Sequence, residues 1–381
     1  MKATLGRRER VLRAIAHEEA DRYPLDLGMH FSTGISVFAY HNLREYLGLD
    51  TSRIEAIDPV QLLARVDDDI LERFHIDTKL LRPAWVNPVR WNIRGDYTFL
   101  YPNGPKRELL ANGDWVISKE GQGGPGRMRL PVGGFFCDGD WLNIRDYEMD
   151  ETLRVTGREA ERIYKESDYF TCYMSFTGFF TGLDYACDML TDPDGVRAHN
   201  QRLLDRELLH ARKLIEHGKD YIGCVEINSD LGMQSGPMCN PELYGELVAP
   251  YLKQLCAFIH ENSDYKLFLH CCGSVEPFLP YIIDAGIDIL NPVQISAANM
   301  DPADLKRKYG GRICFWGGGC DTQNVLGRAA PEQVRANVKA LTDTFKPGGG
   351  FVFNQVHNIM GNVPPENIVA MLDAAYENSF Y

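Results

Sequence analysis

Residues 267–274 read LFLHCCGS, a short apolar run ending in His270, Cys271 and Cys272. Imidazole and thiolate are borderline-to-soft ligands, and zinc is the ion that a His-x-Cys pair at a strand end can hold. Side chains two apart on a strand share a face, so His270 and Cys272 project together while Cys271 turns into the packing behind the strand. Zinc takes such a nitrogen at about 2.0 Å and the sulfur at about 2.3 Å, and a catalytic ion needs a third protein ligand plus an open position. A redox reading is poorer, because adjacent Cys271 and Cys272 lack the CxxC spacing.

Similar polar groups follow the other apolar runs. Asp26 and His30 end PLDLGMH, and Glu226, Asn228 and Asp230 lie in CVEINSDLG. Asn291 and Gln294 end ILNPVQ, Cys320 and Asp321 lie in WGGGCDTQ, and Asn354, Gln355 and His357 lie in FVFNQVHN. Any one of these could be a loop cap. As a set they put carboxylates, amides and imidazoles at six run ends, which is where a parallel barrel keeps its chemistry. Asp230, Glu226 and Asp26 are the expected acids and bases. His30, Asn228, Asn291, Gln294, Asn354 and Gln355 are the expected substrate-binding groups.

The elements that must position these residues have a regular beat. Over the C-terminal half, helical stretches alternate with short apolar runs at 220–227, 265–271, 287–293, 312–318 and 350–356. Short apolar strands separated by helices build a parallel sheet of βα units. With YPLDLG, IDTKLLRP and YFTCYMSF earlier, the count reaches about eight, so the expected fold is α/β, a closed (β/α)8 TIM barrel. An open doubly wound sheet is the alternative, but no Gly-rich dinucleotide loop follows a first strand. Residues 90–136 break the beat with aromatic and β-branched alternation between NG, GD and GG turns. This predicts an antiparallel hairpin excursion in an early βα loop of one domain spanning 1–381. Its rings, Trp91, Tyr97, Phe99, Tyr101 and Trp115, either cover a substrate or docking surface or form a small core of their own. FTGFF at 176–180 either lines an apolar pocket or packs the barrel.

Composition narrows the partners. The chain is 44% apolar and 24% charged, with 40 basic against 53 acidic residues, a net charge of −13. Phosphate binding needs a basic face, so nucleic acid is an unsuitable partner. No apolar run is long enough for a membrane helix, and the N-terminal stretch lacks the apolar core of a signal peptide, so a cytoplasmic location is expected. The ten cysteines are scattered, which in a reducing compartment means free thiols. Cys137, Cys172, Cys187, Cys224, Cys256 and Cys314 are expected as small buried hydrophobes.

Five segments carry a resemblance. RERVLRAIAHEEADRYPLDLG, SDLGMQSGPMCNPELYGELVAPYLK, LFLHCCGSVEPFLPYIIDAGIDILNPVQ, FWGGGCDTQNVLGRAAPEQV and GGGFVFNQVHNIMGNVPPENIVAMLDAA resemble the uroporphyrinogen decarboxylase superfamily, and within it the corrinoid-dependent methyltransferase (O-demethylase-like) branch. The decarboxylases of that family carry an Arg-rich segment for a substrate with eight carboxylates. Here the corresponding stretch, PLDLGMHFSTGISVFAY, holds neither lysine nor arginine. The methyltransferase branch implies zinc held by His-x-Cys and a distant cysteine. His270 and Cys272 match the pair, but counting back from PPENI reaches His357, with Cys320 as the spare candidate and Glu226 or Asp230 as a further partner. The resemblance implies methyl transfer between a small methyl ether or amine and the cobalt of a separate corrinoid-binding protein, with zinc as Lewis acid, and pairing of barrels into a homodimer. Transfer from methyl-corrinoid to tetrahydrofolate or a thiol, a lyase acting on a smaller acid, and a non-catalytic binding barrel are the alternatives.

Overall fold

The structure is a computed structural model, and it describes residues 3–119, 126–139 and 148–381. Six parallel strands pair in sequence order: β1 (Cys172–Thr177), β2 (Cys224–Asn228), β3 (Lys266–His270), β4 (Ile289–Asn291), β5 (Cys314–Trp316) and β6 (Phe351–Val352). Two shorter segments, at 24–26 and 76–78, close the ring. Leu25 bridges Phe353 in parallel, with Phe353 N donating to Pro24 O at 2.8 Å and Asp26 N to Phe353 O at 2.9 Å. Asp77 N then donates to Leu25 O at 2.8 Å, and Thr78 bridges Phe170 beside β1. Eight parallel segments therefore complete the expected barrel.

The helices between strands start where their sequences direct. Asp192, Asn240 and Asp301 each cap a first turn, accepting from Gly195 N, Leu243 N and Asp304 N, and each is followed by proline at the first helical position. That combination satisfies an orphan N–H and presets φ. Strand side chains alternate as the pleat requires. Leu267, Leu269 and Cys271 join the core beneath the helices, while Phe268 packs inside the barrel with Cys172, Cys224, Ile289, Cys314, Trp316 and Val352. Val11, Ala14 and Ile15 of α1 (Arg7–Ile15) complete this interior cluster. Gly350 N donates to Ala14 O just ahead of β6, so α1 plugs the N-terminal end of the barrel and leaves the other end open.

The excursion follows the 76–78 segment. Val89–Arg94 pairs with Tyr97–Tyr101, and Lys106–Leu109, Trp115–Lys119, Gly126–Leu130 and Asp138–Gly139 form a second antiparallel sheet, so it begins and ends slightly outside 90–136. Its rings pack together. Trp91 meets Tyr101 and Trp115 edge-on, with centroids 4.8 and 5.4 Å away. Tyr97 and Phe99 meet Phe38 of α2 (Val37–Tyr46) at 5.2 and 5.5 Å. Trp91, Phe99 and Tyr101 are continuous with the main hydrophobic core, Tyr97 and Trp115 pack against it, and none of the five lines the cavity described below.

All ten cysteines are free thiols. Cys187 departs from expectation by being exposed. Among the described residues no helix is long and apolar enough to cross a membrane.

Candidate functional site

A cavity of about 730 Å³ opens at the C-terminal ends of the strands. Thr177, Asn228 and His270, the last residues of β1, β2 and β3, line it together with Asp230, Cys272 and His357 from the loops beyond. The first βα loop contributes His30 and Ser32, the connection after the following helix contributes Gln61, and the end of the excursion contributes Phe136, Cys137, Asp138 and Gly139 as one wall.

His270, Cys272 and His357 each bring one donor atom into a cluster in which all three lie within 4.8 Å of one another. Cys272 Sγ is 3.5 Å from His270 Nε2, as the shared strand face requires. Which imidazole nitrogen is free follows from Asn291. Its Nδ2 donates to Trp316 O at 2.9 Å, which identifies the other amide atom as oxygen. That oxygen lies 3.0 Å from His270 Nδ1, and a carbonyl oxygen can only accept, so Nδ1 carries the hydrogen and Nε2 the lone pair. Burial, then the neighbouring His30 ring, lowers the His270 pKa. Burial and the His270 and His30 rings bring His357 down to about 4. Both rings are thus neutral at pH 7. Burial and Asp230 push the Cys272 thiol up, so it keeps a proton that a bound cation would displace. Two neutral imidazoles and one displaceable thiol fit zinc.

Two loops hold Cys272 in place. Asp230 Oδ1 accepts from Cys272 N at 2.8 Å, and Gln294 Oε1 accepts from Gly273 N at 2.8 Å. Gly273 has φ +84°, and a Cβ there would lie 2.3 Å from the carbonyl carbon of Gly232. A Cβ on Gly232 would lie 2.4 Å from Ser274 N. Only glycine allows the two backbones to cross so closely. Cys271 points away, buried, with its sulfur 3.3 Å from Leu231 N.

A second polar pair faces the same space. His30 Nε2 lies 3.1 Å from Glu226 Oε1, both nearly buried. On the other side of the ring, His30 Nδ1 lies 2.8 Å from Ser32 Oγ and 3.1 Å from Ser32 N.

The remaining expected site residues sit elsewhere. Asp26 is fully buried and does not line the cavity; it accepts from Thr78 Oγ1 at 2.6 Å, Trp316 Nε1 at 2.8 Å and Met29 N at 3.1 Å. It ties three barrel segments together. Asn354 donates to Asp26 O, and Gln355 to Thr33 O and Gly34 O, so both anchor the first loop from behind. Asn291, expected on the substrate, holds His270. Gln294 supports the glycine crossing from outside the lining. Cys320 is buried, is absent from the lining, and joins the hydrophobic core. Of FTGFF, Phe176 lines the cavity, while Phe179 and Phe180 pack on Tyr251 and Tyr185. Sequence reasoning missed Ser32, Gln61 and the wall at Phe136–Gly139. The GG turn before Phe135 was the one local signal for that wall.

Residues 178–378 match the family model of uroporphyrinogen decarboxylase (URO-D). The chain is 27% identical over 145 residues to uroporphyrinogen decarboxylase of Thioalkalivibrio sulfidiphilus, covering 37% of this chain and 39% of that protein. With the Psychromonas ingrahamii enzyme it is 28% identical over 149 residues, covering 38% and 39%. The match thus spans about two fifths of these relatives' length. A methyltransferase from Methanosarcina mazei superposes over 98% of this chain and 99% of its own, with a TM-score of 0.58 at 15% identity, which establishes a shared fold. A family match over half the chain, on a barrel of this form, makes this protein a member of the uroporphyrinogen decarboxylase family.

Proposed function

We propose that this chain is a methyltransferase of a corrinoid-dependent system, a single barrel domain that removes a methyl group from a small methyl ether or amine. The observation that carries this reading is the cluster of His270, Cys272 and His357 on the cavity floor. Support comes from the lining: the described residues around the cavity include Asp138, Glu226 and Asp230 but neither lysine nor arginine. A porphyrinogen with many carboxylates would face repulsion there.

In the proposed reaction the methyl–heteroatom bond breaks and the methyl group passes to the cobalt of a corrinoid on a separate protein. The heteroatom leaves with the bonding pair and takes up a proton. Zinc held by His270 Nε2, Cys272 Sγ and His357 would supply Lewis acidity toward that heteroatom. The chain's own residues do the rest. Asp230 fixes the Cys272 backbone. Glu226, beside His30, stands where it can exchange a proton with the leaving group. Met174, Phe136 and Phe176 exclude water from the donor's apolar side.

The test combines metal analysis with turnover. Wild-type protein purified after zinc-replete expression should hold close to one zinc per chain, and His270→Ala and Cys272→Ala should lose it. Methyl ethers and methylamines incubated with cob(I)alamin should yield methylcobalamin at least about 100-fold faster with wild type than with either variant. Release of carbon dioxide from small carboxylic acids, with no methylcobalamin formed, would replace this reading with a carboxy-lyase.

A further inference from the structure

The amide of Asn291 lies at the crossing of two groups that the sequence places far apart. Its oxygen is 3.0 Å from His270 Nδ1 and also receives the Ser32 hydroxyl at 2.6 Å, while its nitrogen is held by Trp316 O. The residue is fully buried, and so is Ser32. Ser32 in turn sits against His30, whose Nδ1 lies 2.8 Å from the Ser32 hydroxyl oxygen; with its hydrogen given to Asn291, that oxygen can only accept from the ring. The oxygen accepts two hydrogens and the nitrogen is already committed, so the amide cannot flip without leaving buried partners unsatisfied.

We infer that Asn291 is the positioning residue that selects the His270 tautomer, keeping the lone pair on Nε2, and that through Ser32 it sets His30 by the same atom. The inference rests on the proposed metal reading for its consequence, since a ring protonated at Nε2 would turn an N–H toward Cys272 in place of a lone pair. An asparagine suits this position better than a glutamate or histidine would. It supplies a neutral acceptor toward the rings and a donor toward the Trp316 carbonyl at once. The tautomer itself is a property of the protein without metal.

Two measurements test this. Long-range proton–nitrogen correlation spectra of the wild-type protein, with imidazole-labelled histidine and His270→Gln to assign the signal, should show His270 protonated at Nδ1. Protonation at Nε2 would overturn the inference whether or not zinc binds. Zinc affinity, measured by competition with a chromophoric chelator, should fall about 10–100-fold in Asn291→Ala and recover to within several-fold of wild type in Asn291→Asp, which restores an acceptor for Nδ1. Equal affinity of Asn291→Ala and wild type, with His270 unchanged in the spectrum, would also overturn it. A wild type that binds no zinc yet shows Nδ1 protonated would sink the metal reading and leave the tautomer assignment standing. If Asn291→Ala fails to fold by circular dichroism, the wild-type spectrum and Asn291→Asp decide the question.

Discussion

The two ends of this barrel use the same kinds of side chain in opposite ways. At the plugged end, Asp77 accepts from Arg10 Nη1 at 2.6 Å, Arg22 Nη1 at 2.7 Å and Nη2 at 2.9 Å, and Leu25 N at 2.8 Å. Four donors fill the four lone-pair positions of a carboxylate, and all three side chains are buried. At the open end, one donor atom each of His270, Cys272 and His357 lies within 4.8 Å of the other two, in a cavity that admits a ligand. Burial of polar groups is common to both ends. Saturation stabilises the first, and the second keeps donor atoms that the proposed metal would use.

Breaking the saturated end should have the largest effect. Asp77→Ala leaves the buried Arg22 guanidinium without a carboxylate and Arg10 with Asp21 alone, and should cost about 3–5 kcal/mol, read as a shift in denaturant midpoint at constant slope. A loss below about 1 kcal/mol would show that water or rearrangement satisfies those arginines and that the contrast between the ends is smaller than drawn. An intermediate effect is expected at the open end from Gly273→Ala. The positive φ and the clash with Gly232 should cost about 1–3 kcal/mol and should weaken zinc binding as well, because Cys272 is the preceding residue. Full stability with unchanged metal affinity would mean that the loop relaxes freely. The smallest stability effect belongs to Phe136→Ala, whose ring is 55% exposed on the cavity wall. Stability should stay within about 0.5 kcal/mol of wild type while substrate binding weakens by about 1–2 kcal/mol. A change in melting without a change in KM would move Phe136 from the substrate to the scaffold.

Much of the frame was legible because it is periodic. The six strands from β1 to β6 and their helices repeat with caps and prolines that local rules read directly, and the pleat alone put His270 with Cys272 and sent Cys271 the other way. His357 came into view by counting from the PPENI helix in the resemblance, not from any local pattern. Strand-end position proved insufficient for Asp26, Asn354 and Gln355, because an apolar run does not say which of its terminal polar groups turns into the cavity and which turns into packing. Asn291 could be placed but its role could not, since its partner Ser32 is 259 residues away in sequence. The wall at Phe136–Gly139 was hidden for a similar reason. The excursion packs its conspicuous aromatic residues on one another and, through Tyr97 and Phe99, on α2, and it meets the cavity with residues that carry little pattern of their own.

The crossing of Gly232 over Gly273 has a consequence for how such a protein can change. Neither backbone tolerates a methyl group at the contact, and the loop bearing Asp230 is hydrogen-bonded to the loop bearing Cys272. The two loops therefore behave structurally as one part. An insertion or graft in either must be matched in the other, whereas the excursion wall, which among the described residues shares no such clasp with them, can be exchanged alone to tune what enters the cavity.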